Sequence, residues 1–365
     1  MRTIAFYLPQ FHAIPENDQW WGKGFTEWVN VKNSKPQFKG HIQPEIPYEN
    51  KYYNLLDTEV QIEQAKLAKD YGIEGFCYYH YWFEGKLLLE KPMENMLNNS
   101  AIDIPFCVCW ANETWARTWD GNEKDILISQ NYNEDADAWK KHFEYLLPFF
   151  KDKRYIKVGN KPVLVIYKPQ LITNGAEMIS YWNKLAIEEG FDGLYMGYQH
   201  HSAFDYDLAS YNFDFAIEFE PFYTVHECQK KGEKLESLTK KIKKKIFHLP
   251  TIYDYDFIWR KIISRKPENK KHCPGAFPSW DNTPRRGNKS IVFWKPSPQK
   301  YKEYLSKRIE SAKKYYDSEF LFINAWNEWA EGAHLEPDEN NGFKYLEATK
   351  SALINTGEYK NENIR

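Results

Sequence analysis

Cysteine is scarce in this chain of 365 residues, and its few cysteines form no recognised pattern. They are Cys77, Cys107, Cys109, Cys228 and Cys273, an odd number without C-x-x-C spacing. The first three lie in apolar, strand-like runs, which is typical of small buried side chains in a reducing compartment. Zinc ligation by Cys107 and Cys109 is disfavoured, because no histidine or cysteine cluster lies at zinc-like spacing.

The chain also lacks an excess of charge and a long apolar run. Lys and Arg number 49 against 51 Asp and Glu, so no overall field favours a nucleic acid as partner. No apolar stretch reaches the roughly 18 residues of a membrane span. The start, "MRTIAFYLPQF", has no signal-peptide pattern, which predicts a cytoplasmic, soluble protein.

One basic block, "LTKKIKKKIFHLP" at 238–250, interrupts this balance. A solvated helix end explains it. The alternative is peripheral contact of Lys240–Lys245 with anionic lipid headgroups.

Aromatic residues are abundant, with 14 Trp, 26 Tyr and 23 Phe making up 17% of the chain. Flat aromatic faces suit sugars, since they give large contact areas at a small entropic cost. An aromatic-rich core explains the composition equally well.

Eight short apolar runs alternate with helical patterns at 58–72, 135–150, 175–190 and 298–316. Continuously apolar strands indicate burial on both faces, as in a parallel sheet. We therefore predict a single α/β domain over 1–365, a (β/α)₈ TIM barrel with a basic insertion around 224–270. An open doubly wound sheet is the alternative, but no G-x-G-x-x-G and no P-loop support it. The predicted strands are Thr3–Gln10, Gly75–Trp82, Pro105–Trp110, Pro162–Tyr167, Gly193–Gln199, Phe213–Phe219, Gly275–Trp280 and Phe320–Trp326.

Polar and aromatic residues crowd seven of the eight strand ends, all except the fourth. Such a barrel carries its active site at the carboxyl ends of its strands, so these residues predict a sugar pocket there. Tyr7, His80, Trp110 and Trp280 are expected to wall it. The full set of candidate substrate-binding residues is Tyr7, Gln10, His12, Trp21, Glu27, Trp28, Tyr79, His80, Trp82, Trp110, Asn112, Glu113, Gln199, Glu218, Glu220, Trp280, Asp281, Asn327 and Glu336.

The candidate catalytic residues, Glu328 and Glu331, lie in "INAWNEWAEGAHLEPD" at 323–338. Glycosidic-bond chemistry needs one carboxylic acid and one carboxylate. Two neighbouring carboxylates resist joint ionisation, so the pair keeps one proton near neutral pH. The flanking Trp326 and Trp329 are expected to strengthen that effect. A surface helix start with glutamates three apart is the structural alternative.

Three segments resemble the WbsX family, described as glycosyltransferases of bacterial surface polysaccharide synthesis. They are "AFYLPQFHAIPENDQWWGKGFTEWVNV" (5–31), "WANETWARTWDG" (110–121) and "INAWNEWAEGAHLEPD". That family is similar to glycoside hydrolase family 99, retaining endo-α-mannosidases with a (β/α)₈ fold. The first segment belongs to the WbsX group and not to the mannosidases, so the outer subsites need not fit mannose.

The resemblance implies roles for three glutamates. Glu328 would be the base that removes the sugar 2-hydroxyl proton, giving a 1,2-anhydro intermediate. Glu331 would be the acid, and later the base for water. Glu336 is expected to orient the site.

Three functions remain open: a retaining enzyme acting on α-glycosidic bonds of a bacterial surface polysaccharide, a transferase using an activated sugar, and a sugar-binding protein without catalysis. The expected partner is a sugar or oligosaccharide, with no cofactor and no metal. D-x-D motifs at 135–137, 205–207 and 254–256 are weak signals for a nucleotide-sugar transferase. Arg285 and Arg286 are its candidate diphosphate ligands. If a metal were bound, its candidate ligands would be His12, His80, His200 and His334.

Overall fold

Eight parallel strands form a barrel, which confirms the predicted fold class. The computed structural model describes residues 1–117, 122–132, 135–201, 211–235, 244–267 and 269–359. The barrel strands are Arg2–Tyr7, Gly75–Phe83, Phe106–Trp110, Lys161–Ile166, Tyr195–His200, Phe215–Glu218, His272–Cys273 continued by Gly275–Ala276, and Phe320–Ile323. Each is hydrogen-bonded to the next in chain order, and the first is paired with the eighth.

The seventh strand closes the barrel in two pieces on either side of Pro274. His272–Cys273 pairs with the sixth strand and Gly275–Ala276 with the eighth. Proline has no N–H to donate, but its carbonyl accepts from the amide of Phe322 at 3.0 Å. This strand begins at His272, earlier than predicted. It also ends earlier, at Ala276, because Pro278 cannot donate a hydrogen bond to the neighbouring strand. Trp280 therefore lies in the loop that follows.

Helices surround the barrel, and they include the four predicted from periodicity. Three of those four have side-chain caps: Asp57 accepts from the Glu59 amide, Asp135 from those of Asp137 and Ala138, and Ser297 from that of Lys300. The described helices are Pro15–Trp21, Glu27–Asn33, Thr58–Asp70, Lys91–Asn98, Ala136–Lys151, Gly175–Glu188, Phe222–Lys230, Tyr255–Ser264, Thr283–Arg286, Pro298–Tyr315 and Lys344–Thr356. Within the described part of the chain, none has the length and apolar character needed to cross a membrane.

Short antiparallel strands lie at the ends of the barrel. Their pairs are Lys86–Leu88 on the second barrel strand, Lys157–Val158 on the fourth, Trp115–Arg117 with Asn122–Ile128, and Asn327–Glu328 with Ala333–His334. Thr251–Asp254 pairs in parallel with Ile291–Trp294.

Aromatic rings fill the barrel interior. The ring of Phe6 lies 5.6 Å from those of Tyr79 and Phe219 and 5.5 Å from that of Phe322. Much of the unusual aromatic content is therefore core, as one of the two interpretations of the composition requires. All five cysteines are free and buried.

A buried ion pair joins the barrel to its outer layer on the side of the sixth strand. Arg308, on helix Pro298–Tyr315, lies 2.5 Å from Glu218 Oε2 and donates from Nε to the Gly275 carbonyl at 3.1 Å. Arg265 and Tyr316 also contact Glu218. Burial alone would raise the pKa of Glu218, but Arg265 and Arg308 hold it well below its ordinary value.

We predict that Arg308→Ala lowers the free energy of unfolding by about 3–5 kcal/mol, because it removes one partner from a fully buried charge pair. Lys307→Ala on the same helix is the control. Since Lys307 is exposed, that change should stay within about 0.5 kcal/mol. Urea unfolding of both variants measures this, and equal midpoints would contradict the prediction.

Candidate active site

Glu328 and Glu331 lie in a tight loop directly after the eighth barrel strand. Asn327–Glu328 pairs with Ala333–His334, and one 3₁₀ turn, Trp329–Glu331, connects the two short strands. A 3₁₀ turn has three residues, so side chains three apart lie on the same side. Gly332 has φ 56°, and a Cβ there would lie 2.9 Å from the Asp281 backbone, so the turn requires glycine.

Glu336 explains the tryptophans on either side of the glutamates. Its Oε1 accepts from Trp326 Nε1 at 3.1 Å and from Gln64 at 2.6 Å. Its Oε2 accepts from Trp329 Nε1 at 2.6 Å and from the Tyr53 hydroxyl at 2.7 Å. Glu336 is thus a buried anchor that fixes both indoles and the loop between them, and it does not line the cavity.

Arg285 is the central cation of the site. Its Nη1 lies 2.5 Å from Glu331 Oε1, its Nη2 lies 3.1 Å from Glu328 Oε2, and its Nε lies 3.1 Å from Glu27 Oε2. The Glu27 side chain is fully buried, whereas Glu331 keeps 21% of its side-chain exposure. One guanidinium therefore joins three carboxylates, two of which face the cavity.

The electrostatics favour retention of a proton by the two motif glutamates. The pKa of Glu328 is raised to about 8, mainly by burial and next by the charge of Glu331, while Arg285 opposes the shift. Burial also raises the pKa of Glu331, again against Arg285. Because the carboxylates repel each other, ionising one makes the second proton harder to remove.

Asp281 positions Arg285 without facing the cavity. Its Oδ2 accepts from Gln43 Nε2 at 2.7 Å and lies 2.6 Å from His41 Nε2. Its Oδ1 accepts from the Thr283 amide at 3.0 Å, at the start of helix Thr283–Arg286. The predicted contact of Asp281 with substrate is therefore replaced by support of the turn that carries the arginine.

A cavity of about 510 Å³ opens at the carboxyl ends of the strands and includes both Glu328 and Glu331. Of the candidate substrate-binding residues it is lined by Gln10, Trp21, Tyr79, Glu113, Gln199 and Trp280. Buried polar atoms without a hydrogen-bond partner include Gln10 Nε2, Gln199 Oε1 and Trp280 Nε1.

Several cavity residues were missed at the sequence level. They include Asn17, Tyr81, Trp115, Tyr167, Lys168, Gln170, His201 and His226. Two signals could have found some of them. Tyr81 follows Tyr79 at the strand period of two, and Tyr167 and Lys168 end the fourth strand, the one whose end was left out.

Tyr7 does not wall the cavity, contrary to expectation. It is fully buried, and its hydroxyl donates to Gln64 Oε1 at 2.7 Å on helix Thr58–Asp70. Successive strand residues point to opposite faces, so Phe6 and Leu8 face the interior and Tyr7 faces the helices.

For the same reason, His80, Trp82 and Trp110 face the helices and do not line the cavity as predicted. All three pack around His142 on helix Ala136–Lys151. His80 Nε2 lies 2.9 Å from His142 Nε2, the Trp82 ring is stacked on His142 at 4.6 Å, and Trp110 lies 4.8 Å away edge-on. Burial lowers the pKa of His80 to about 3, so the pair is neutral.

Other predicted contacts are structural as well. Glu218 belongs to the network with Arg265 and Arg308 described above. Glu220 also accepts from Arg265, at 2.7 Å, and from the Thr224 hydroxyl. Both glutamates are buried between the barrel and its outer layer and do not line the cavity.

Three further candidates hold loops through main-chain hydrogen bonds. Asn327 accepts from the Leu8 amide at 2.7 Å and donates to its carbonyl at 3.0 Å. Asn112 bridges to the main chain of Lys168 in the same way. Trp28 Nε1 donates to the Tyr53 carbonyl at 2.8 Å. All three are buried away from the cavity.

His12 and the other candidate metal ligands are dispersed. His12 Nδ1 lies 3.0 Å from the Pro9 carbonyl, and burial lowers its pKa to about 4. His334 lies 2.8 Å from Glu45 and His80 beside His142, while His200 alone of the four lines the cavity. The described residues contain no group of three or more His, Cys, Asp or Glu able to hold a metal.

Two D-x-D motifs are helix caps. Asp135 accepts from the amides of Asp137 and Ala138, and Asp254 accepts from that of Phe257. Asp256 pairs with Lys300 at 2.8 Å. The third motif, at 205–207, lies outside the described residues.

Solved structures share this fold. The family 99 endo-α-mannosidase of Bacteroides thetaiotaomicron superposes with a TM-score of 0.58 at 13% identity, covering 97% of this chain and 96% of that one. The same enzyme in complex with bis-tris-propane gives a TM-score of 0.60 at 14% identity, covering 98% of this chain and 98% of that one. A glycoside hydrolase-like protein gives 0.60 and 13%, covering 99% of this chain and 94% of that one.

Two relatives found by sequence have a higher identity to this chain than the solved structures have. WxcX proteins from two strains of Xanthomonas campestris pv. campestris are 38% identical over 353 residues, which is 96% of this chain and 49% of theirs. The chain thus spans about half the length of these relatives. The model of the family described as Glycosyltransferase WbsX matches residues 3–349. This match covers the whole barrel and the glutamate loop. The chain therefore belongs to the WbsX glycosyltransferase family.

Proposed function

We propose that this protein is a retaining carbohydrate-active enzyme that acts on α-glycosidic bonds of a bacterial surface polysaccharide. One observation carries the proposal: Glu328 and Glu331 open together, with raised pKa values, into an aromatic-lined cavity at the carboxyl end of the barrel. Trp21, Trp115 and Trp280 offer flat faces to a sugar, and Gln10 and Gln199 offer hydrogen bonds. A surface helix start would provide neither the burial nor the cavity.

The catalytic roles follow from the family resemblance. Glu328 is the base for the 2-hydroxyl, and Glu331 is the acid that protonates the departing oxygen and then activates water. Because the raised pKa favours a proton on Glu328, that proton must leave or pass to Glu331 before the base can act. The contact of Arg285 Nη2 with Glu328 at 3.1 Å stabilises the ionised form that this step needs. Arg285 is therefore a positioning residue in the proposed mechanism.

The endo-α-mannosidase activity of the structural neighbours supports an internal α-linkage as the target. Mannose itself is not implied, since the 5–31 segment, which supplies Gln10 and Trp21, differs from the mannosidase pattern.

Glycosyl transfer from an activated sugar is the second candidate, favoured by the description of the family. Arg285 would then bind the donor diphosphate in competition with three carboxylates. The expected membrane contact of Lys240–Lys245 has no support, and residues 240–243 lie outside the described part of the chain.

Hydrolysis by two carboxylates and transfer from a nucleotide sugar differ in their need for a cation. The proposed mechanism moves charge by proton transfer, so we expect activity on α-linked oligosaccharides to survive EDTA within about two-fold. Product analysis by mass spectrometry, with nucleotide sugars tested in parallel, measures this. Activity that needs a nucleotide sugar and returns only with magnesium or manganese would favour the transferase.

Glu328→Gln and Glu331→Gln should each abolish turnover, since general acid–base catalysis is worth roughly 10²–10⁴-fold and the pair acts as a unit. Glu310→Gln, an exposed carboxylate on helix Pro298–Tyr315, is the matched control and should keep wild-type rates. Circular dichroism checks the fold of each variant. Retention of more than about a tenth of the activity in either catalytic variant would refute the pair assignment.

The raised pKa of Glu328 also predicts a pH dependence of stability. The folded protein keeps this proton between the ordinary value of 4.5 and about 8, where the unfolded chain has lost it, so this group makes stability fall as pH rises through that window. Glu328→Gln should remove this pH dependence. Relative to wild type, its free energy of unfolding should therefore rise by up to about 1.4 kcal/mol for each pH unit in that window. The variant also loses the contact between Arg285 and the Glu328 carboxylate, which changes the free energy of unfolding by an amount that does not vary with pH.

Urea unfolding at several pH values measures this gain, with Glu310→Gln as the control that follows wild type. A difference between Glu328→Gln and wild type that is constant from pH 5 to pH 8 would exclude a raised pKa.

A further inference from the structure

A second group of charged and titratable side chains lines the same cavity and takes no part in the proposed acid–base chemistry. It consists of Lys168, His200, His201 and His226, which we call the histidine wall. Lys168 follows the fourth barrel strand, His200 and His201 end the fifth, and His226 lies on the helix after the sixth. Three consecutive strand ends thus contribute to one face of the cavity.

Ring nitrogens of this wall are available to a ligand. His201 Nε2 and His226 Nδ1 are buried and have no hydrogen-bond partner. Burying a polar atom without a partner is unfavourable, and a ligand that hydrogen-bonds to these nitrogens would remove that cost. Both rings pack against aromatic neighbours, His201 at 5.0 Å from Phe219 and His226 at 6.0 Å from Phe222.

The electrostatics of the wall favour a negative ligand. The pKa of His201 is lowered to about 3, mainly by burial and also by Lys168, His226 and His200, and burial lowers the pKa of His226 as well. The positive charge of the wall therefore comes from Lys168, which pairs with Glu113. An anion placed among these groups would interact with the Lys168 ammonium and accept hydrogen bonds from imidazole N–H groups.

Two other ligands fit less well. A metal ion needs ligands that converge, and the described residues hold no group of three or more His, Cys, Asp or Glu arranged in that way. A neutral sugar hydroxyl would satisfy a single ring nitrogen, but it would gain less than an anion from the positive charge of Lys168.

Tyr167 links the wall to the catalytic glutamates. Its ring meets that of His201 edge-on at 5.8 Å. Burial raises its pKa well above the ordinary value, and the charges of Glu113, Glu331 and Glu328 add to the shift. An anion on the wall would therefore sit next to the sugar that the glutamates act on, within one cavity of about 510 Å³.

We propose that Lys168, His201 and His226 form a subsite for an anionic group of the substrate, either the carboxylate of an acidic sugar or the phosphate of an activated one. Placing this anion beside the reacting sugar rests on the proposed function; the binding itself does not. Recognition of a charged repeat unit would distinguish this site from one built for neutral mannose.

Pairs of ligands that differ only in charge test the subsite. The pairs are D-glucuronate with D-glucose, D-galacturonate with D-galactose, and D-mannuronate with D-mannose; glucose 1-phosphate and UDP-glucose represent the phosphate source. Titration followed by tryptophan fluorescence measures affinity. We expect at least one anionic ligand to bind at least about ten-fold more tightly than its neutral counterpart, the gain of one charge-assisted hydrogen bond.

The variants His201→Asn, His226→Asn and Lys168→Met should each reduce that preference at least about three-fold, while Lys140→Met, an exposed lysine on helix Ala136–Lys151, should leave it unchanged. Two histidine variants keep the test valid if Lys168→Met fails to fold. A preference confined to the phosphate ligands would assign the anion to an activated donor, and one confined to the uronates would assign it to an acidic polysaccharide. Equal affinity within every pair, or a preference that survives all three variants, would overturn the subsite.

Repeating the titration with Glu331→Gln separates the two proposals. The preference for the anion should persist in that variant, because Glu331 is not part of the wall. Turnover retained by Glu331→Gln would refute the proposed function and leave this binding result standing.

Discussion

The arrangement of the candidate site depends on one buried guanidinium. Arg285 contacts Glu27, Glu328 and Glu331, so a single positive charge faces up to three negative ones in a largely desolvated place. Burial of unpaired carboxylates is costly, and a proton retained by the motif glutamates lowers that cost. The arginine thus allows two glutamates to be buried side by side, and the excess of carboxylates keeps the pair partly protonated. In the proposed mechanism, acid and base functions arise from the same charge imbalance.

The surrounding structure holds this imbalance in place. Glu336 binds both indoles of the motif and Asp281 binds the turn that carries Arg285, so two further buried carboxylates support the reacting pair without touching the cavity. The Asp281 amide donates to the Glu331 carbonyl at 2.7 Å, and the Ser279 hydroxyl donates to the Gly332 carbonyl at 2.6 Å, so these two bonds connect the seventh and eighth loops. A rigid frame of this kind keeps catalytic side chains in one geometry.

The cavity has two chemically distinct faces. Glu328 and Glu331 with Arg285 form the proposed reacting face, while the histidine wall forms the proposed anion subsite. The structural neighbours share the fold at 13–14% identity, which leaves room for the ligand chemistry to differ. The chain spans about half the length of the WxcX relatives.

The sequence by itself determined the barrel, the glutamate loop and the family, because these depend on local patterns. Apolar strand runs alternating with helices specify a parallel barrel, and glutamates three apart before a glycine specify a tight turn. Only the tertiary structure decided which side chains face the cavity. A shift of one residue along a strand reverses the direction of a side chain, so Tyr79 lines the cavity whereas Tyr7 and His80 face the helices. Arg285 is brought to the glutamates by barrel closure across more than forty positions, a contact that no local pattern encodes.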